Sequence, residues 1–285
     1  MSLRQNINEG TEESLQFVDI LIMLQTHLIT SKIDIPEYKN RISSLATKTI
    51  LNCYSILELL KGQDIDSKYI ELKTKFLDIS GLYILLRAQL ENFLIFDFIY
   101  CQPKNEGELQ FRYYNWIYSG LISRNEYYQK GDFLKENRLK DQEEIRLFRK
   151  KITDSEYFKK FTLNQQNQII KKGEPRLFNG WIKLMDLSKI HPDHSKSLYN
   201  LLSSHAHTTG LSIMNLDGMD LKHSENNSHA HFIMFLSKIL LAKFIVLFKS
   251  TFKATEIKYN TLPSSNVHKL EFYSNILANG ITIGA

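Results

Sequence analysis

The sequence predicts an all-α protein, a multi-helix bundle built from mostly antiparallel long helices. The 285-residue chain has only 12 glycines and 5 prolines, so turn residues are too sparse for a fold of many short strands. Its hydrophobic share of 43% is enough to bury a core. Apolar residues recur with a helical period along nearly the whole chain, and no set of alternating strands is evident.

Helix-breaking and helix-capping residues divide this pattern into segments. Pro36 ends one helix and suits the first turn of the next, and Gly62 ends that second helix. Pro103 stops the third helix, Gly173 ends a short one, and Asp193 is a candidate N-cap. The predicted helices are Glu12–Thr30, Pro36–Leu60, Lys68–Tyr100, Gly107–Gln129, Lys135–Lys160, Asn164–Lys172, Pro175–Ile190, Asp193–His205 and Ser224–Thr251.

We predict a single helical domain over residues 1–285, with a short extended C-terminal tail at Asn279–Ile283. Residues 130–176 form a basic helical excursion in this interpretation. The segment 124–176 holds 14 Lys/Arg and 9 Asp/Glu, a difference of +5 that equals the net charge of the whole chain. A basic stripe can attract nucleic acid, which makes RNA a candidate partner. The interspersed acidic residues favour a solvated helix surface instead.

The cysteines and the apolar runs indicate a cytoplasmic protein with no membrane partner. Cys53 and Cys101 lie in apolar helical contexts without CxxC spacing, as is typical of buried thiols in a reducing compartment. The N-terminal residues lack the cleavage site of a signal peptide. The longest apolar run, Phe232–Phe248, contains two lysines and is short for a span, so we predict a buried helix there.

Arg87 and Glu91 stand out because they lie four residues apart inside an otherwise apolar helix. Residues at this spacing share one helix face, and each charge needs a partner because desolvation of an ion costs several kcal/mol. One interpretation is a structural ion pair that fixes the helix register. The other is an arginine that holds a phosphate or an oxyanion with its remaining donors.

A second polar stripe runs along the helix that ends near residue 207. Tyr199, Ser203 and His207 fall at i, i+4 and i+8, which places two hydroxyls and an imidazole on one face. His205 points elsewhere, because two residues correspond to roughly 200° of helix rotation. A histidine at a helix C-terminus is favoured when it is protonated.

Three features occur in order along the chain, namely Arg87-x-x-x-Glu91 in an apolar helix, Trp181 in a later helix, and Tyr199-x-x-x-Ser203-x-x-x-His207. This arrangement, over roughly Leu82–Asn215, resembles a family of bacterial all-helical proteins of uncharacterised function. That family is distantly similar to HEPN domains, several of which are RNases of toxin and antiphage systems. Those RNases pair an arginine and a histidine a few residues apart on one helix at a dimer interface. This chain departs from that pattern, since Arg87 and His207 must meet from different helices.

The histidines suggest a metal site as a further alternative. Seven of the nine lie between His191 and His231, and imidazole is a ligand for zinc, iron, copper and nickel. No H-E-x-x-H or E-x-x-H motif is present, few carboxylates lie nearby, and helical HxH spacing directs the two rings apart. The candidate ligands are His205, His229 and His231, and no other cofactor is predicted.

Two function classes follow, and nucleotide-binding loops and hydrolase elbows have no motif to support them. The favoured one is an interaction or sensor module, placed in bacterial defence by the resemblance, with Arg87, Glu91, Ser203 and His207 as a buried polar network. The alternative is a HEPN-like, metal-independent RNase. In that case Arg87 binds the scissile phosphate, His207 acts as general acid or base, and Tyr199 and Ser203 orient it. A second copy of the chain is a further candidate partner.

Overall fold

The computed structural model describes residues 3–66, 68–69, 73–127, 135–207, 209–214 and 224–278. Helices dominate these residues, which confirms the predicted all-α class. The helices are α1 (Leu3–Thr30), α2 (Ile42–Leu60), α3 (Ile79–Phe96), α4 (Glu106–Tyr127), α5 (Lys135–Thr153), α6 (Leu163–Lys172), α7 (Trp181–Leu187), α8 (Pro192–Ala206), α9 (Gly210–Met214), α10 (Ser224–Lys249), α11 (Lys253–Tyr259) and α12 (Ser264–Ile276). Short 3-10 turns lie at Glu37–Lys39 and Phe158–Lys160, and a π turn lies at Asp97–Cys101.

The chain folds into two compact units. Unit 1 comprises residues 1–34, 42–94 and 185–285, and unit 2 comprises residues 35–41 and 95–184. The single domain over 1–285 stays a prediction, as does the excursion at 130–176. The extended tail predicted at Asn279–Ile283 lies outside the described residues.

Unit 1 is built around α1, α3 and α10. Helix α1 packs against α2, α10 and α11, and α10 packs against α12. Two buried amides position α3. Gln89 Nε2 donates to the Ser237 carbonyl of α10 at 2.9 Å, and Asn92 Nδ2 donates to the Leu45 carbonyl of α2 at 2.9 Å. Because buried amide groups need hydrogen-bond partners, these two bonds fix the position of α3 along its axis and its rotation about that axis.

Helix α10 carries the apolar run that the sequence predicts to be buried. Among the described helices, its segment Ser228–Lys249 is long and apolar enough to cross a membrane. However, 67% of its most apolar window is buried inside the protein, and the core helix of a soluble protein passes the same test of length and composition.

Unit 2 has its own aromatic core, formed between α4, α5 and the segments that follow. Its buried members are Phe111, Tyr118, Leu121, Phe148, Ile152, Phe158 and Ile169. Gly173 ends α6 with a φ of 69°, and a Cβ at this position would lie 2.6 Å from Ser119 Cα. Only glycine therefore permits both the left-handed turn and the close approach to α4.

The predicted third helix, Lys68–Tyr100, is wrong in its first part. Strands β1 (Gln63–Asp66) and β2 (Lys73–Phe76) form an antiparallel hairpin instead. Its register places Asp64 opposite Lys75 and Asp66 opposite Lys73. Helix α3 begins only after Asp78, whose Oδ1 accepts a hydrogen bond from the Gly81 amide at 2.8 Å.

The helix predicted at Pro175–Ile190 is also shorter in the structure, where α7 covers Trp181–Leu187. Leu177 and Phe178 have φ values of 49° and 66°, and two consecutive left-handed residues exclude a right-handed helix. The predicted helix Lys135–Lys160 likewise stops at Thr153 and is followed by a 3-10 turn.

Candidate functional site

Helix α3 presents a stripe of three polar side chains at i, i+4 and i+8, namely Tyr83, Arg87 and Glu91. Arg87 Nε donates to Glu91 Oε1 at 2.9 Å, so the ion pair expected from the spacing is present. The Arg87 side chain is 20% exposed and that of Glu91 is 26% exposed. The ion pair is therefore mostly buried, but part of each side chain remains accessible to solvent.

Arg87 also reaches helix α8. Its Nη2 donates to the Tyr199 hydroxyl at 3.0 Å, and the guanidinium carbon lies 5.3 Å from the centroid of the Tyr199 ring. Burial lowers the pKa of Arg87, but the hydrogen bond and charge of Glu91, together with Tyr199, raise it overall above its ordinary value. The arginine is thus a fixed cation held on two sides.

Tyr83 lies one turn before Arg87 and is almost completely buried, with 1% of its surface exposed. Its ring stacks on His205, with centroids 4.2 Å apart and an interplanar angle of 17°. Its hydroxyl lies 2.7 Å from His229 Nδ1. Because burial raises the pKa of Tyr83 to about 12, the phenol keeps its proton near neutral pH and can donate it to an unprotonated Nδ1. Tyr83 therefore joins α3 to both α8 and α10.

His205 is the buried histidine of this cluster, with 5% of its surface exposed. Burial lowers the pKa of His205, and the nearby His229 lowers it further. Both effects disfavour the imidazolium form. The neutral form of His205 is therefore favoured, and its ring stacks on Tyr83 without adding a positive charge next to Arg87.

The structure brings together only part of the predicted set. Arg87, Glu91 and Tyr199 are in contact, whereas Ser203 is half-buried and His207 is exposed just beyond the end of α8. Over the part of the chain that the structure describes, no hydrogen bond joins the Ser203 or His207 side chain to Arg87. Their role as site residues stays a prediction. Of the two histidines at the end of α8, His205 and not His207 contacts α3, where its ring stacks on Tyr83.

The three candidate metal ligands are likewise only partly brought together. His205 and His229 both contact Tyr83, and His231 is half-buried further along α10. Within the described ranges, no group of three or more His, Cys, Asp or Glu side chains could hold a metal ion. His223 lies outside those ranges. A metal site at the three histidines stays a prediction.

The basic segment 124–176 belongs to unit 2, and several of its cations have acidic partners there. Arg124 Nε donates to Asp141 Oδ2 at 2.6 Å, and Lys151 Nζ lies 2.5 Å from Glu37. These pairs reduce the free positive charge of the segment. RNA as its partner stays a prediction.

Comparison with known proteins identifies the chain at the level of its family. The model of a family of unknown function, DUF5677, matches residues 39–227, which is more than half of the chain. The chain belongs to this family. The DUF5677 match includes all of α3 and α8 but ends before His229. It confirms an uncharacterised family, while the HEPN likeness stays a prediction. No curated protein and no solved structure gives a significant match.

Proposed function

We propose that this DUF5677 protein is an interaction or sensor module in which Arg87 binds the anionic group of a ligand. The observation that carries the proposal is the set of hydrogen bonds that the Arg87 guanidinium makes. Nε and Nη2 are held by Glu91 and Tyr199, while Nη1 donates to no group among the described residues. Two N–H donors of a fixed, sheltered cation are therefore available to a ligand.

A fixed guanidinium is a favourable anion receptor. The arginine is already ordered by its two protein partners, so little further side-chain entropy is lost when a ligand docks. Its partial burial lowers the local dielectric and strengthens the attraction to an anion. Glu91 opposes this attraction, which favours a ligand that also accepts hydrogen bonds over one held by charge alone.

The same residues give the module a means of response. Arg87 connects α3 to α8, and Tyr83 connects α3 to α8 and α10. An anion bound to Arg87 shares the guanidinium with Tyr199, so its binding acts directly on one of these connections. Occupation of the site is thereby linked to the packing of α3 on α8.

Thermal unfolding with inorganic phosphate tests this proposal. A ligand that binds the folded state raises the midpoint of unfolding as its concentration rises. We expect phosphate to raise the midpoint more for wild type than for Arg87→Gln, because its general stabilising effect acts on both proteins. Arg146→Gln, which removes an exposed arginine of α5, is the matched control and should respond as wild type does. An equal response of Arg87→Gln and wild type would exclude Arg87 as the receptor.

A second candidate, a metal-independent RNase, is favoured by one observation. His205 and His229 meet at Tyr83, one helical turn from Arg87, and an arginine with imidazoles can provide phosphate binding and proton transfer. A mixed RNA pool incubated with wild type, His207→Ala and His229→Gln, each with and without EDTA, tests it. Cleavage that is lost in a histidine variant supports the RNase, and loss with EDTA implicates a metal. No cleavage by wild type contradicts it.

A further inference from the structure

Unit 2 contains a cavity whose lining includes none of Tyr83, Arg87, Glu91 and Tyr199, the residues of the Arg87 centre in unit 1. Its volume is about 290 Å³, near the lower end of the range for small-molecule pockets. Most of its wall is apolar and aromatic, formed by Phe98, Phe111, Tyr157, Phe161 and Leu177. Because these side chains come from four separate stretches of unit 2, the cavity is a product of its tertiary packing.

The aromatic rings of the wall form surfaces suited to a flat ligand. The rings of Phe111 and Tyr157 are inclined by only 24°, with centroids 6.3 Å apart. Phe161 lies 6.0 Å from Phe111 at 31°. Aromatic rings prefer offset or edge contacts with other flat π systems, and nucleobases stack on such side chains regardless of their sequence.

A fixed arginine lies at one side of the cavity. Arg112 Nη2 lies 2.5 Å from Glu108 Oε1, and Nη1 donates to the Phe98 carbonyl at 2.6 Å. The guanidinium carbon lies 4.2 Å from the centroid of the Phe98 ring. Glu108 compensates the charge of Arg112, so this pair shapes the wall without adding net charge.

The π turn explains why the Phe98 carbonyl is available. In an α-helix this carbonyl would accept the Gln102 amide, but that amide donates to the Asp97 carbonyl at 3.0 Å instead. The next residue, Pro103, has no N–H to donate. The carbonyl therefore accepts Arg112, and this bond fixes the guanidinium beside the cavity.

Lys160 supplies the uncompensated charge. Its Nζ lies 3.9 Å from the centroid of the Tyr157 ring, and no carboxylate of the described residues forms an ion pair with it. The adjacent Lys159 differs, because it pairs with Glu156 at 2.5 Å and does not line the cavity. The rim of the cavity thus carries one exposed cation over an aromatic ring.

The remaining wall is formed by a strained segment. Leu177 and Phe178 both hold positive φ values, which bulky residues rarely adopt and which cluster at functional sites. Asn179 follows them and lines the cavity, with its Nδ2 donating to the Arg176 carbonyl at 2.8 Å. No donor among the described residues bonds its Oδ1, which can accept from a ligand, and amide side chains pair well with the polar edges of nucleobases.

We propose that this cavity binds a nucleotide unit, with the base against the aromatic wall and the phosphate at Lys160. The aromatic wall matches a face of the base, Asn179 matches its polar edge, and Lys160, which has no ion-pair partner among the described residues, matches one phosphate. The small volume accommodates the base and leaves the sugar and phosphate at the rim. Free nucleotides and the nucleotides of single-stranded RNA share this chemistry.

Calorimetric titration of the full chain tests the proposal. The probes are the four nucleoside 5′-monophosphates, the matching nucleosides, ribose 5-phosphate and a short single-stranded oligoribonucleotide. We expect at least one monophosphate to bind more tightly than its nucleoside and than ribose 5-phosphate. Lys160→Gln should weaken that binding roughly tenfold, as expected for one charge-assisted hydrogen bond. Lys159→Gln is the matched control and should bind as wild type does.

Three outcomes would overturn the proposal. They are the absence of binding by every monophosphate, ribose 5-phosphate binding as tightly as the nucleotides, and equal affinity in Lys160→Gln and wild type. Binding that is lost in Arg87→Gln but kept in Lys160→Gln would also overturn it and would assign the nucleotide to the Arg87 centre. If the oligoribonucleotide binds more tightly than the monophosphates and also depends on Lys160, the natural ligand is RNA. If the monophosphates bind more tightly than the oligoribonucleotide, the natural ligand is a free nucleotide.

Discussion

The Arg87 centre of unit 1 and the cavity of unit 2 use similar side chains in different ways. Each holds an arginine with a glutamate four residues away and an aromatic ring nearby. In unit 1, Tyr83 is covered by His205 and bonded to His229, so protein groups satisfy one another. In unit 2, the rings surround a cavity and the rim cation has no acidic partner within the described chain. The same chemistry therefore stabilises one unit and lines a recess in the other.

Truncation of one aromatic ring in each unit gives the largest expected difference. Tyr83→Ala removes a fully buried ring together with its hydrogen bond, and we expect the free energy of unfolding to fall by about 3–5 kcal/mol. Phe161→Ala removes a half-buried ring of the cavity wall, and we expect a loss of about 1 kcal/mol. Urea denaturation of both variants measures these values. Equal losses would show that the cavity wall is as tightly packed as the Tyr83 cluster.

Removal of a single hydroxyl sharpens the same contrast. Tyr83→Phe keeps the ring and breaks the bond to His229, so we expect a loss of about 1 kcal/mol. Tyr157→Phe breaks an exposed bond to Asn105 and should change stability by less than about 0.5 kcal/mol. Chemical denaturation under identical conditions compares the two. A larger loss of stability in Tyr157→Phe than in Tyr83→Phe would contradict the prediction that the Tyr83 hydroxyl is the more stabilising of the two.

The pH dependence of stability gives the smallest but most specific effect. Because burial and then His229 lower the pKa of His205 from its ordinary value of 6.5, the unfolded chain takes up this proton at a higher pH than the folded protein. The free energy of unfolding should therefore fall as the pH drops below about 6.5, until the folded protein is also protonated.

His205→Phe separates this titration from the stacking. The variant keeps a ring on Tyr83 but has no imidazole, so its free energy of unfolding should fall less steeply below pH 6.5 than that of wild type. The same substitution at the exposed His207 controls for loss of an imidazole from this end of α8. Denaturation at a series of pH values measures both, and a slope unchanged by His205→Phe would contradict the prediction.

Local sequence patterns predict those parts of the molecule that depend on local geometry. The long helices α1, α4 and α10 follow from the apolar period, and the Arg87–Glu91 pair follows from a spacing of four within one helix. The hairpin does not, because its strands are only four residues long and neighbouring apolar residues imitate a helical period. The strain at Leu177 and Phe178 has no local signal, since both residues ordinarily favour right-handed backbone.

The Tyr83 cluster shows why the rest of the site escapes prediction. Tyr83, His205 and His229 lie on three helices separated by long stretches of chain, and their contact depends on how each helix is rotated in the unit. Helical spacing shows that His205 and His207 face different ways but not which of them faces inward. Only the tertiary structure decides that His205 does. A tyrosine four residues before Arg87 is the one local clue.

The π turn at Asp97–Cys101 makes the cavity far more sensitive to insertions and deletions than to substitutions. The turn contributes the Phe98 carbonyl as well as the Phe98 ring, and exchange of a side chain leaves that carbonyl acceptor in place. A deletion that restored the regular α-helical pattern would return the carbonyl to a backbone donor and release Arg112. Among relatives, chain length between α3 and α4 should therefore be a better indicator of a shared cavity than residue identity.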